Sequence, residues 1–169
     1  MIRRPHDETD RGMSIALTHI LTIGITTILI AMLLMAGSTM LDTETERSTR
    51  TSLETVGERL AGEIDNVDRI ANDSEEASVT LVADHPRRVA NSRYSVALLE
   101  DCSGDEAPLI DSGSCIELSA HNTDVTVHVP LVTESELDTD ASVSGGSIEI
   151  AYENDGSGDR HITLKEVDR

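Results

Sequence analysis

Phenylalanine and tryptophan are absent from this chain, and Tyr94 and Tyr152 are its only aromatic residues. A core without large rings has to be built from Val, Ile, Leu and Ala. That favours the pleated surface of β-strands and makes for a thin domain of limited stability. Lysine is represented by Lys165 alone, and the formal net charge is -19. Such a balance excludes a general nucleic-acid binder, which needs clustered cations to neutralise phosphates. Only two cysteines are present, Cys102 and Cys115, and with no second Cys/His pair at ligand spacing they do not describe a zinc site. A Gly-x-Ser-x-Gly elbow, a P-loop, a dinucleotide fingerprint and a His-Glu-x-x-His pair are also missing. No catalytic, cofactor-binding or metal-binding residue is therefore expected.

What the chain does have is one long uncharged run, Met13 to Leu41, in which His19 is the only titratable residue. It exceeds the roughly 20 residues that cross a bilayer core as a helix. It is also longer than the h-region of a secretory signal, about 7–15 residues. Arg3, Arg4 and Arg11 precede the run, and Asp42, Glu44 and Glu46 follow it. The positive-inside bias then keeps the N-terminus in the cytoplasm and puts the remainder of the chain outside the cell membrane, in a single pass. His19 falls near the cytoplasmic edge, where a neutral imidazole costs little. Thr18, Thr22, Thr26 and Thr27 are placed to bond back to helix carbonyls, and with Gly24 and Gly37 they suit close contact between helices.

The helical period continues beyond the apolar run. Leu53, Val56, Leu60, Ile64, Val67 and Ile70 or Ala71 recur at three- and four-residue steps and draw one apolar stripe. Gly57 and Gly62 each lower helix propensity by about 1 kcal/mol, so a bend is expected near them. Asn72-Asp73-Ser74 reads as the stop, and it is also a formal N-glycosylation acceptor at Asn72. From Ala77 on, strand signals dominate, over 78–83, 94–100, 115–120, 123–129, 147–152 and 161–167. Turn residues separate them, as in Asp84-His85-Pro86, Ser103-Gly104-Asp105, Ser144-Gly145-Gly146 and Asn154-Asp155-Gly156, while 133–144 reads as a longer acidic loop. The expected fold is α+β: a long N-terminal transmembrane and amphipathic helix packed on a small antiparallel β-sheet of meander connectivity. The expected divisions are 1–12, 13–41, 42–72 and 77–169.

Several polar groupings invite a chemical reading. Asp84-His85 with Asp111 or Glu100 has the residue types of an acid–base or metal site, but in so acidic a chain any histidine has a carboxylate nearby. His121 and His128 do not stand at a ligand-pair spacing. Asp155-Gly156-Ser157-Gly158-Asp159 lacks the later bidentate acid of a calcium loop and reads as a hairpin turn. In an exported domain, Cys102 and Cys115 are expected to close a short loop as a disulfide.

The junction before the apolar run carries more information. A short polar leader ends in Asp10-Arg11-Gly12, and the hydrophobic segment starts abruptly at Met13-Ser14. Here the chain resembles archaeal type IV prepilins, whose leader peptidase cuts after a small residue preceded by a charged one, so that the mature protein keeps its helix. The acid-rich, lysine-poor composition resembles that of proteins from salt-loving archaea, where salt screens self-repulsion. Together these features look closest to the pilin-like proteins of halophilic archaea. The resemblance implies cleavage between Gly12 and Met13, a pilin-like fold and no enzymatic activity. Implied partners are the lipid bilayer, the leader peptidase and pilus-assembly machinery, and other pilin-like subunits through the N-terminal helix. The mature chain would stand at the cell surface, in the membrane or in a filament. Many pilins carry a glutamate as the fifth mature residue, where this chain has Leu17, a departure that points to a minor subunit. The competing expectation is a bitopic receptor or binding module with an uncleaved N-terminus.

Overall fold

The computed structural model describes residues 6–73, 78–102, 113–154 and 160–167; for residues 6–12, 14, 39 and 154 it describes the backbone. The elements are one helix, α1 (His6–Asp73), and eight strands. These are β1 (Val79–Asp84), β2 (Tyr94–Leu99), β3 (Cys115–Ala120), β4 (Thr126–Pro130), β5 (Glu136–Leu137), β6 (Ser142–Ser144), β7 (Ser147–Asn154) and β8 (Arg160–Glu166). Packing divides the chain into two compact units, 1–44 and 45–169.

The first unit is helix, and its apolar side chains have nothing of their own unit to pack against. The second is α+β. Along its part of α1, Leu53, Val56, Leu60, Ile64, Val67 and Ala71 are all buried, while Ile70 is exposed. The stripe therefore closes on Ala71, four residues after Val67 and seven after Ile64. The helix runs unbroken through Gly57 and Gly62. At Gly57 it closely approaches the sheet: a Cβ there would lie 2.6 Å from Val129 Cγ2 and 2.8 Å from Leu118 Cδ1. The bare backbone lets the helix sit directly on β3 and β4.

The strands form two four-stranded sheets, in the orders β1-β7-β8-β5 and β4-β3-β2-β6. The α+β plan of a helix on small, mostly antiparallel sheets holds, but two details depart from the expected single meander. The segment 133–144 is not one loop, since it contributes β5, paired parallel to β8, and β6, paired to β2. In addition, β1 pairs with β7 across most of the domain's sequence. Local links are kept in β2-β3-β4 and in the β7-β8 hairpin. Pro130 ends β4 at the edge of its sheet, where a missing N–H is tolerated.

Alternation sets the core. In β2, Tyr94, Val96 and Leu98 point inward and the residues between them are half-buried. Ile116 and Leu118 of β3, Ile148, Ile150 and Tyr152 of β7, and Ile162 and Leu164 of β8 join them with the α1 stripe in one cluster. Cys102 and Cys115 lie beside it, joined as a disulfide with Cα atoms 6.1 Å apart. The turn expected at Ser103-Gly104-Asp105 lies outside the described residues, as do Asp111 and the segment 155–159.

Two outcomes follow for stability. Gly62 has nothing within 4 Å of where a side chain would start, so Gly62→Ala should gain roughly 1 kcal/mol through helix propensity. Gly57→Ala should instead lose about 1 kcal/mol, because overpacking against Val129 and Leu118 exceeds the same propensity gain. Thermal unfolding of both variants followed by circular dichroism checks the opposite signs. Reduction of Cys102–Cys115, which spans 13 residues of sequence, should lower the stability of the second unit by about 2–4 kcal/mol in denaturant titrations.

Candidate membrane-spanning helix

In the first unit α1 is long and apolar enough to cross a membrane, and none of its most apolar window is buried. Ile20, Leu21, Ile23, Leu29, Met32, Leu33, Leu34 and Met35 are among the large apolar side chains left exposed, Leu17 at 72% and Met35 at 75%. A helix satisfies its own backbone hydrogen bonds, so it can leave water without orphaned N–H and C=O groups. Its hydroxyls are satisfied too. Thr22 Oγ1 donates to Thr18 O at 2.8 Å, Thr26 Oγ1 to Thr22 O at 2.7 Å and Thr27 Oγ1 to Ile23 O at 2.8 Å. Ser38 Oγ donates to Met35 O at 2.9 Å. Each bond removes most of the cost of placing that hydroxyl in an apolar medium. Gly24 and Gly37 have nothing within 4 Å of where a side chain would start, which leaves two flat spots on the helix surface.

The junction residues Arg11 and Gly12 belong to the same helical backbone, which begins at His6 and passes without a break into Met13 and Ser14. Met13 is exposed. Glycine in a helix interior costs about 1 kcal/mol relative to alanine, so Gly12 is a weak point at which this stretch opens most readily.

The second unit is fastened to its part of α1 by buried polar groups, chief among them Asp68, which the sequence did not single out. Asp68, 3% exposed, accepts the Glu134 N–H at 2.9 Å, the Ser135 hydroxyl at 2.5 Å and the Asn72 side-chain amide at 3.2 Å. Removing that carboxylate would strand three donors. Asn72 is exposed, though its amide is engaged by Asp68, and Ser74 of the glycosylation triplet lies outside the described residues. The fully buried side chain of His85 meets Glu63 of α1 at 2.8 Å through Nε2. The histidines are not brought together: His128 pairs with Glu117 at 3.2 Å, and Asp84 accepts from the Ser147 hydroxyl at 2.5 Å. Among the described residues no group of three His, Cys, Asp or Glu side chains could hold a metal ion.

A second feature escaped sequence reasoning. Arg87, Arg93 and His121 line an open depression of about 320 Å³ together with Gly145, Gly146 and Glu166. The visible signal was the Arg87-Arg88 pair, the one adjacent arginine pair beyond Arg3-Arg4 in an acid-dominated chain.

A family model matches residues 8–165, which takes in the residues just before the apolar run, the whole of that run and all of the strands but the last residue of β8. Its description is a family of unknown function, DUF7266. No curated protein matches the chain, and no solved structure does.

Burial pushes the Tyr94 phenol up to about 12, while its hydroxyl donates to Pro86 O at 2.7 Å. A raised phenol contributes stability that is fully present below the ordinary tyrosine value near 10 and is lost as pH climbs toward 12. Unfolding free energy should therefore fall by at most about 2–3 kcal/mol across that window. Tyr94→Phe should flatten the dependence when alkaline denaturation is followed by circular dichroism.

Proposed function

We propose that this chain, which belongs to the family DUF7266, is a non-enzymatic, membrane-anchored subunit of a type IV pilus-like surface structure. It is processed after Gly12 and assembled through its hydrophobic helix, as a minor rather than a major component. The observation that carries this reading is a helix apolar on every side in the first unit, whose continuation in the second is apolar on one stripe only. A simple anchor needs the first property alone. A subunit that packs by its helix while holding a β-domain at the surface needs both.

Supporting features lie at both ends of the apolar run. Arg3, Arg4 and Arg11 hold the leader in the cytoplasm, so the acidic β-domain faces outward. The Arg11-Gly12 step places a charged and then a small residue directly before Met13-Ser14, where a leader peptidase of this class would cut. In lipid the helix is held by burial of its apolar surface. In an assembly the same surface packs against other copies, with Gly24, Gly37 and the back-bonded threonines allowing close approach. The disulfide stiffens a small domain in an oxidising exterior.

Leu17 favours a second reading. With leucine in place of the glutamate that aids subunit docking in many pilins, the chain would serve as a bitopic surface receptor that keeps residues 1–12.

Intact-mass measurement of the protein extracted from its native membranes separates the two. A mature chain starting at Met13 is expected, with Gly12→Leu accumulating as the full-length precursor by at least about tenfold over wild type. A wild-type protein that retains its leader removes the pilin reading and leaves the receptor.

A further inference from the structure

We propose that the depression lined by Arg87, Arg93 and His121 is a binding site for a carboxylate group, held by the two guanidinium groups. The inference stands on the second unit alone and does not depend on the pilin reading.

Charge is the first argument. With 32 acidic residues against 13 basic ones, an arginine on this surface has carboxylates available, and Arg59 and Arg69 do pair with Glu63 and Asp65. Arg87 and Arg93 make no ion pair among the described residues. Among the described residues Glu166 is the one carboxylate lining the depression, and its Oε1 accepts the Ser144 backbone N–H at 2.6 Å. That bond also lowers the Glu166 pKa, so the group stays an anion and a competitor that the ligand must coexist with. Another depression, lined by Arg50, Glu117, Asp124 and His128, has two acids to its one arginine and carries no such excess.

Rigidity is the second argument. The segment that bears both arginines is tied at every few residues. His85 N donates to Gly146 O at 2.9 Å, and Tyr94 Oη donates to Pro86 O at 2.7 Å. Val89 and Ser92 exchange backbone bonds of 2.9 and 2.7 Å around Ala90-Asn91. His121 N donates to Arg93 O at 2.8 Å, and Asn122 N donates to Ser92 Oγ at 3.0 Å. Within this tight turn Ala90 and Asn91 have φ of 44° and 66°, a left-handed conformation that costs alanine roughly 1–2 kcal/mol. The turn reverses the chain, and Arg87 before it and Arg93 after it line the same depression. Gly146, at φ 146°, leaves open the space beside the Arg87 stem, 3.4 Å from Cγ to where a side chain would begin. The bracing fixes the backbone from which the two exposed guanidinium groups project, so the loop itself pays little to order on binding.

The ligand class follows from the charge count. Among the described residues lining the depression, two guanidinium groups stand against the carboxylate of Glu166, a small positive excess that a singly charged carboxylate balances more closely than a phosphate with nearly two negative charges. The carboxylate can come from a small organic acid or from an acidic side chain of a second copy of this chain.

The test uses the full-length protein in detergent micelles at constant ionic strength. Acetate and inorganic phosphate are titrated while the arginine Nε–Hε resonances are followed, and sedimentation is measured in parallel. Acetate should shift the Arg87 and Arg93 signals saturably and more tightly than phosphate does. The Arg87→Gln/Arg93→Gln double variant, with an unchanged unfolding midpoint, should weaken acetate binding by about ten- to hundredfold, while Arg88→Gln leaves it alone. If the carboxylate belongs to a second copy, the wild type also self-associates, and both acetate and the double variant dissolve that association. If it belongs to a small acid, acetate binds a monomer. Tighter phosphate binding overturns the carboxylate assignment. Absence of saturable shifts and of acetate-sensitive association overturns the site, as does acetate binding that survives in the double variant.

Discussion

A helix that is apolar on every face cannot be stable in water unless something covers it, and nothing within residues 1–44 does. At about 25 cal/mol per Å² of apolar surface, side chains as exposed as Leu17, Leu33 and Met35 represent a driving force far larger than the stability of a small domain. Lipid or neighbouring helices must supply the cover. Because a helix has closed its backbone hydrogen bonds internally, it is the secondary structure that can accept either. The back-bonded threonines extend that self-sufficiency to the side chains. The first unit thus has the length and the apolar surface that a membrane-crossing helix requires.

That second unit has to be stable with no aromatic residue except two tyrosines and with a large excess of negative charge. It manages by burying β-branched and leucine side chains from two sheets and one helix stripe in a single cluster, and by using its few buried polar groups for fastening. Asp68 holds the 134–135 backbone and hydroxyl to the helix, and the His85–Glu63 contact does the same from the other direction in sequence. These bonds lie inside, where salt screens them little, whereas the exposed Arg59–Glu63 and Arg69–Asp65 pairs weaken as ionic strength rises. Salt therefore screens the repulsion between the surface carboxylates more than it weakens the buried clamps.

The sequence carried the helix and its buried stripe clearly, since a three-four spacing of Leu53, Val56, Leu60, Ile64 and Val67 has one geometric meaning. It could not choose between Ile70 and Ala71, because both fit the period after Val67 and only the packed structure shows which of the two is buried. Strand β3 was legible to the residue, and the cysteine pair was legible once export was assumed. The short strands β5 and β6 were not: two or three residues carry no periodicity, and both exist through partners distant in sequence. The β1–β7 pairing is hidden for the same reason. Gly57 read only as a weak point of the helix, whereas the structure shows it as the place where the helix backbone closely approaches Leu118 and Val129. Asp68, Arg87 and Arg93 were missed because, in a chain so rich in acids, nothing local distinguishes a carboxylate that is buried, or an arginine that lacks one.

The two tyrosines have a consequence of their own. Both are buried in the β-domain, Tyr94 at 0% and Tyr152 at 3% exposure, and no tryptophan outshines them. Near-ultraviolet absorption and emission of the chain therefore originate in the core of one unit, with the disulfide as the only other near-ultraviolet chromophore. The apolar helix is silent in that range. Near-ultraviolet dichroism and tyrosine emission consequently report the integrity of the β-domain alone, whatever the apolar helix is packed against.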